Sequence, residues 1–340
     1  MQNVHSAKNR HVSGDFFCHK KGHVSYNETW ENEGGVSMLE ISRFFPVHIR
    51  EKIQKMPGEG LEEIRIRIGQ PIEFCYGKGS RYFSLEEGET YRAAKEDLAE
   101  MLDYISNYSL YAYQEEVKQG YITIEGGHRI GLIGQAVTDQ GKITGMHHIT
   151  FLNFRIAHER LGCGREVLPH LWDGDNIYNT LFLSAPGGGK TTYLRDCIRL
   201  LSAGEEGRQG LKVCVVDERS EIGACHMGIP QNDLGPRTDV LDSCRKPEGM
   251  LLLLRSMSPQ VIAVDELGTE EDFLAVEQAV CSGSRVLGTI HAGGVQELQE
   301  KPHLRHWMER QMFQRFVQIR RCPGGQREIH IFDAGMRCLC

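Results

Sequence analysis

The sequence predicts an α/β protein whose C-terminal half is built on a parallel sheet and whose N-terminal part is a smaller α+β domain. From residue 180 onward, short apolar segments alternate with longer segments of helical periodicity, which is typical of parallel strands with helices on both faces. One glycine-rich turn joins such a strand directly to a helix. Upstream, strictly alternating segments separated by glycine turns indicate strands and hairpins.

Composition is that of a soluble globular protein large enough for two domains. The 340 residues are 40% hydrophobic and 25% charged. The formal net charge of -7 argues against general nucleic-acid binding, which requires a basic surface. The 11 cysteines form no C-x-x-C pair, and we expect reduced thiols in a cytoplasmic protein. No signal peptide and no run of about 20 apolar residues is found, so any membrane association is expected to be peripheral.

Residues 1–37 differ from the rest of the chain. They are polar, rich in His, Asn and Lys, and show no sustained periodicity. Two interpretations are open: a disordered extension, or a segment that is not translated because the native start is Met38.

The N-terminal α+β domain is expected to span residues 38–160. Its predicted elements are, in order, a helix near 50–56, strands at 63–68, 71–76 and 81–85, helices at 95–107 and 108–119, and a hairpin of 121–124 with 129–136. Gly126, Gly127, Gly131 and Gly134 suggest a dinucleotide-binding loop at first sight. We reject that interpretation, because Gly131 and Gly134 lie inside a strand pattern and not at a strand-to-helix turn.

The glycine-rich turn has the pattern of a phosphate-binding P-loop between a strand at 181–183 and a helix. Its residues are Ser184, Ala185, Pro186, Gly187, Gly188, Gly189, Lys190, Thr191 and Thr192. Glycines let backbone N–H groups face phosphate, and the helix N-terminus adds a favourable dipole. We expect Lys190 to reach the β- and γ-phosphates of ATP and Thr191 to hold Mg²⁺. Ser184 replaces the first glycine of the pattern, a departure expected to cost little.

Two further apolar strands end in acidic residues. The strand at 261–264 runs into Asp265 and Glu266, a Walker B pattern in which Asp265 orients Mg²⁺ and Glu266 polarises the attacking water. The strand at 212–216 runs into the acidic segment 217–221, where Glu218 is an alternative base. We favour Glu266. Two strands that bring acids to one sheet edge predict a RecA-like P-loop NTPase core over residues 161–340.

A third apolar strand, at 285–290, brings a histidine to the same edge. It carries Thr289 and ends beside His291, and we expect one of these side chains to contact the γ-phosphate. A lone histidine in a strand is more often structural, but its position at the end of a core strand favours a catalytic role.

With these four elements in view, the chain is similar to the ATPases of type II and type IV secretion systems. It resembles still more the stage III sporulation protein AA family, over about residues 38–333. The resemblance rests on the segments 121–124, 126–129, 216–222, 230–233, 237–242 and 255–259.

This resemblance implies a Mg²⁺-dependent ATPase that drives or assembles a sporulation channel. It would act in the mother-cell cytoplasm, peripheral to the membrane facing the forespore, with membrane proteins of that channel complex as partners. The secretion ATPases imply a hexameric ring in which arginines complete a site at the subunit interface. Arg129, Arg155, Arg237 and Arg255 are the candidates. Secretion motors usually have Gly-Glu at the Walker B position, so their base assignment does not transfer directly to Glu266.

Two other functions are compatible with the same motifs. A nucleic-acid-associated P-loop ATPase would show salt-dependent oligonucleotide binding, although the sequence contains no recognisable binding module. A nucleotide-dependent scaffold would bind ATP without hydrolysing it.

Overall fold

The computed structural model describes residues 36–340, except 87, 206, 301 and 323–325. The predictions made for residues 1–37 therefore concern a segment that lies almost entirely outside the described residues. Within the described part, one sheet organises the N-terminal region and a second, larger sheet organises the C-terminal region. The ten cysteines in these ranges are all free thiols.

The N-terminal region is a six-stranded antiparallel sheet, in the order β3-β2-β1-β8-β7-β6, with helices on one face. Its elements are α1 (Met38–Ser42), α2 (Val47–Gln54), β1 (Leu61–Arg67), β2 (Glu73–Tyr76), β3 (Gly79–Tyr82), β4 (Ser84–Glu86), β5 (Glu89–Thr90), α3 (Lys95–Ile105), a 3₁₀ turn (Leu110–Tyr113), α4 (Gln114–Gln119), β6 (Tyr121–Thr123), β7 (Arg129–Asp139) and β8 (Lys142–Arg155). Strand residues such as Ile64, Phe74 and Phe154 are fully buried against the helices.

Two sequence predictions for this sheet are corrected. No strand is predicted at 142–155, yet β8 pairs with both β1 and β7 near the centre of the sheet. The first part of β8 forms a largely exposed ribbon with β7, so it lacks the alternation that marks a half-buried strand. The helix predicted at 108–119 does not begin at Tyr108, because that residue takes a positive φ; the segment is a 3₁₀ turn followed by α4. Gly120, with φ 83°, ends α4.

The C-terminal region is a seven-stranded sheet in the order β15-β14-β16-β17-β11-β18-β19. Its elements are a 3₁₀ turn (Cys163–Glu166), α5 (Leu168–Leu171), β9 (Trp172–Asp173), β10 (Asn176–Ile177), β11 (Thr180–Ser184), α6 (Lys190–Ala203), β12 (Gly204–Glu205), β13 (Arg208–Gln209), β14 (Val213–Asp217), β15 (Thr238–Asp242), α7 (Lys246–Ser256), β16 (Val261–Val264), α8 (Glu270–Cys281), β17 (Arg285–His291), α9 (Val295–Glu300), α10 (Pro302–Glu309), β18 (Arg315–Arg321) and β19 (Arg327–Asp333). All neighbouring strands are parallel except the closing hairpin β18–β19, which confirms the predicted arrangement.

Both faces of this sheet are covered, which explains its continuous apolar strands. Along β16, Ile262 and Val264 pack with the α7 and α8 side, whereas Val261 and Ala263 pack with the α6 side. Among the helices in the described ranges, none is long and apolar enough to cross a membrane.

Asn179 connects three strands at the start of β11. Its side chain accepts a hydrogen bond from the Val286 N–H (3.0 Å) and donates one to the Met312 carbonyl (3.0 Å). Both bonds are buried, and Asn179 itself is 1% exposed. The residue therefore fixes β11, which carries the glycine-rich loop, relative to β17 and β18.

Candidate functional site

The glycine-rich loop has the local geometry that its sequence predicts. Gly187 (φ 72°) and Gly189 (φ 108°) adopt left-handed conformations that favour glycine, and Gly189 caps the N-terminus of α6. Ala185, Pro186 and Gly187 form the exposed rim of the loop. Thr192 follows in the first turn of α6.

Ser184, the departure from the P-loop pattern, is folded into the base of the loop. Its side chain is 1% exposed, and its hydroxyl donates to the Ala185 carbonyl at 2.8 Å. A Cβ on Gly188 would lie only 2.6 Å from the Ser184 Oγ atom. Ser184 therefore fits at the base of the loop because residue 188 is a glycine and has no side chain.

The structure brings three predicted residues together at the end of the loop. Lys190 is buried, with its Nζ atom 3.6 Å from Glu266 Oε1 and 3.5 Å from His291 Nε2. The same nitrogen of His291 lies 2.8 Å from Glu266 Oε1. The contact arises because β17 lies between β11 and β16 and pairs His291 with Ser184 in register.

The two residues predicted to hold magnesium also meet. The Thr191 hydroxyl donates to Asp265 Oδ2 at 2.8 Å. These are hard oxygen ligands of the kind that Mg²⁺ prefers. Thr289, one of the two side chains expected near the γ-phosphate, donates its hydroxyl hydrogen to Asp265 Oδ1 and so orients the carboxylate.

Glu266 is held by its backbone as well as by its side chain. Its φ of 53° is unusual for a residue other than glycine, and its N–H donates to Asp265 Oδ1 (3.1 Å) and Thr289 Oγ1 (2.9 Å). Such strain is concentrated at functional sites. Burial alone would raise the pKa of Glu266, but the hydrogen bond from His291 and the positive charge of Lys190 outweigh it and lower the pKa. The side chain is therefore an ionised acceptor.

Glu218, the alternative base, has a different partner. Its Oε2 atom lies 2.5 Å from the Nζ atom of Lys246, in the first turn of α7. Asp217, one residue earlier, is 1% exposed and accepts N–H groups from residues 221–223 at 2.7 to 3.0 Å. Burial raises the pKa of Asp217 to about 6. Of the acids at this edge, Glu266 is thus the one beside Lys190, whereas Asp217 shapes the loop.

The four arginine candidates lie in two different places. Arg129 and Arg155 line a cleft of about 480 Å³ together with Thr191. The Arg237 carbonyl accepts the Val213 N–H at the start of β14, and Arg255 lines a cavity at the beginning of β16 and β17. Arg237 and Arg255 thus lie at the N-terminal ends of the parallel strands. The glycine-rich loop of their own chain lies at the opposite, C-terminal ends.

Two residues at the site are missed by the sequence analysis. The Arg327 Nε atom of β19 donates to the Gly188 carbonyl at 3.2 Å. The Arg219 Nη1 atom lies 3.4 Å from Glu266 Oε2. Arg219 stands in the acidic segment 217–221, so its place in the sequence could have indicated a contact with acidic side chains. Nothing in the residues around Arg327 indicates its contact with the loop.

Comparison with known protein families shows to which family the chain belongs. A family model described as Sporulation stage III, protein AA matches residues 38–340. The chain belongs to that family. It is 39% identical over 299 residues to the Stage III sporulation protein AA of Bacillus subtilis strain 168, covering 87% of this chain and 95% of that protein. It is also 27% identical over 276 residues to the uncharacterized protein ycf45 of Cyanidium caldarium (78% and 72% covered). The family resemblance inferred from the sequence is confirmed.

Solved structures show the same fold at low identity. The Legionella pneumophila ATPase DotB aligns with a TM-score of 0.54 and 16% identity, covering 81% of this chain and 77% of that one. The pilus retraction motor PilT with bound ADP aligns with a TM-score of 0.56 and 14% identity, covering 87% and 82%. The predicted RecA-like P-loop core with a smaller N-terminal α+β part is therefore confirmed as a fold.

Proposed function

We propose that this protein is a Mg²⁺-dependent ATPase that serves as the motor or assembly ATPase of a sporulation channel complex. The observation that carries the proposal is the convergence of Lys190, Thr191, Asp265 and Glu266 at one glycine-rich loop. The family supports the sporulation role, and the ATPase DotB and the motor PilT, which share the fold, support the motor role.

The chemistry assigned to these residues is in-line attack of water on the γ-phosphate of ATP. The loop N–H groups and Lys190 would bind the phosphates, and Thr191 and Asp265 would hold Mg²⁺. Bound Mg²⁺ would neutralise phosphate charge.

Glu266 would orient the attacking water and accept its proton, with His291 beside it. Glu218 is a weaker candidate, since Lys246 already engages its carboxylate.

The contact between Lys190 and Glu266 suggests how binding of ATP would prepare the site. The Nζ atom of Lys190 lies 3.6 Å from the Glu266 carboxylate. A triphosphate is the stronger partner for Lys190, because it carries more charge than one carboxylate. Binding would thus draw the lysine away and leave Glu266 available to water.

We also propose a homo-oligomeric ring, with a hexamer as the expected state. Arg237 and Arg255 lie at the opposite ends of the strands from their own loop, where a neighbouring subunit could use them. Arg129 and Arg155 line the cleft that includes Thr191. The ring would act in the mother-cell cytoplasm, peripheral to the membrane facing the forespore. Its partners would be membrane proteins of the channel complex.

The test is Mg²⁺-dependent phosphate release from ATP over a range of protein concentrations. Wild-type activity should rise faster than concentration, and Lys190→Ala should abolish it. Lys142→Ala, which changes an exposed lysine of β8, is the control and should match wild type. Phosphate release that is absent at every concentration, despite ATP binding, would contradict hydrolysis and favour a nucleotide-dependent scaffold.

A further inference from the structure

The loop after β14 places an arginine against the proposed base. Arg219 Nη1 lies 3.4 Å from Glu266 Oε2, while Glu266 Oε1 faces His291 and Lys190. Both carboxylate oxygens of Glu266 are therefore engaged. A carboxylate with partners on both oxygens is held in one orientation.

The backbone of the same arginine is held by the N-terminal sheet. The Arg219 carbonyl accepts hydrogen bonds from Arg129 Nη2 (2.7 Å) and from the Tyr121 hydroxyl (3.3 Å). The Arg129 guanidinium stacks 4.0 Å from the centroid of the Tyr121 ring, which stiffens the pair. Tyr121 belongs to β6 and Arg129 to β7, so Arg219 is connected to two neighbouring strands of that sheet.

The rest of the loop is anchored to the C-terminal core. Asp217 binds the backbone N–H groups of residues 221–223, and Arg195 of α6 donates to the carbonyls of Glu221 (2.7 Å) and Ile222 (2.9 Å). The Arg219 side chain is 65% exposed, and an ion pair this exposed adds little to stability. We therefore expect the contact of Arg219 with Glu266 to affect the orientation of the carboxylate and not the stability of the fold.

We propose that Arg219 is a positioning residue that restrains Glu266, and that the N-terminal sheet sets this restraint through Arg129 and Tyr121. The inference rests on the proposed ATPase function and adds a control of its base. A shift of β6 and β7 relative to the core would move the Arg219 carbonyl and withdraw the guanidinium from Glu266. The position of the small sheet would thereby decide whether the Glu266 carboxylate is held in this orientation or is free to turn.

The test compares the steady-state kinetics of four variants in the full-length chain. Arg219→Gln should raise kcat several-fold and leave the KM for ATP unchanged, because the glycine-rich loop and Lys190 are untouched. Arg219→Lys keeps the charge and should keep the wild-type kcat. Arg129→Gln releases the Arg219 backbone and should also raise kcat. Arg245→Gln is the matched control, since that side chain is 61% exposed and pairs with Glu248 and Glu271.

The double variant Arg219→Gln/Arg129→Gln distinguishes a relay from two separate effects. If Arg129 acts through Arg219, the double variant should be no more active than Arg219→Gln alone. A gain equal to the product of the two single gains would overturn the relay. A kcat for Arg219→Gln equal to or below that of wild type would overturn the restraint.

Hydrogen exchange of the backbone amides at 219–223 tests the relay without turnover. Arg129→Gln should accelerate their exchange, and Arg245→Gln should not. If wild type releases no phosphate, the proposed function fails, and exchange alone decides the connection from Arg129 to Arg219. Unchanged exchange in Arg129→Gln would then overturn it.

Discussion

Acidification should destabilise this protein through His128, which is buried where the β6–β7 turn meets residue 157. The side chain is 5% exposed, and its Nδ1 atom accepts the Ala157 N–H at 3.0 Å. Burial lowers the pKa of His128 from 6.5 to about 4, and the positive charges of His158 and Arg43 act in the same direction. Protonation would also break the hydrogen bond, because Nδ1 would become a donor.

The sign and size of the effect follow from linkage. Between pH 4 and 6.5 the unfolded chain binds a proton at this histidine that the folded chain does not, so stability falls as pH falls. With these two pKa values, the loss relative to neutral pH is roughly 1 kcal/mol at pH 5.5 and roughly 2 kcal/mol at pH 4.5. Asp217 acts in the opposite direction, because its pKa is raised to about 6 and its stabilisation is lost as pH rises from about 4 to 6.

The assay is urea unfolding of wild type and His128→Asn at pH 7.5 and pH 5.5. The asparagine Oδ1 atom can still accept the Ala157 N–H but does not titrate. Asp217 contributes equally to both proteins, so it cancels in the comparison. The stability difference between wild type and variant should change by about 1 kcal/mol between the two pH values. His147→Asn, at an exposed position of β8, is the control and should follow wild type. Parallel pH dependences of wild type and His128→Asn would refute the reasoning.

Three further predictions follow from single contacts. Glu266→Gln should lower kcat by about 100-fold or more in the phosphate-release assay, and Glu218→Gln much less; equal losses would contradict the choice of base. Gly188→Ala should weaken binding of a fluorescent ATP analogue, because its Cβ would meet the Ser184 hydroxyl at 2.6 Å. Ser184→Gly should relieve part of that loss, and the same loss in both backgrounds would argue against the clash. Asn179→Ala should lower the free energy of unfolding by about 2 to 4 kcal/mol in urea, since it leaves two buried backbone groups unpaired; a loss below 1 kcal/mol would contradict this.

Several features of the protein were determined by the sequence alone because they depend on neighbours in the chain. The glycine-rich loop needs only its own φ angles and the start of α6, so its geometry could be predicted from nine consecutive residues. The core strands were recognisable because both faces of the sheet are covered, which requires continuous apolar segments. The family followed from short motifs along the chain and is confirmed by the match over residues 38–340.

Other features were decided only by the tertiary structure, since they depend on which distant segments meet. Glu266 and not Glu218 lies beside Lys190 because only β17 stands between β16 and β11, whereas β14 lies one strand further away. Strand order cannot be deduced from periodicity. The central strand β8 has no clear pattern because half of it is exposed on both sides. The contact of Arg219 with Glu266 depends on a loop folded around Asp217 and on a sheet some 90 residues earlier in the chain. Long-range packing places these side chains, and no local rule encodes it.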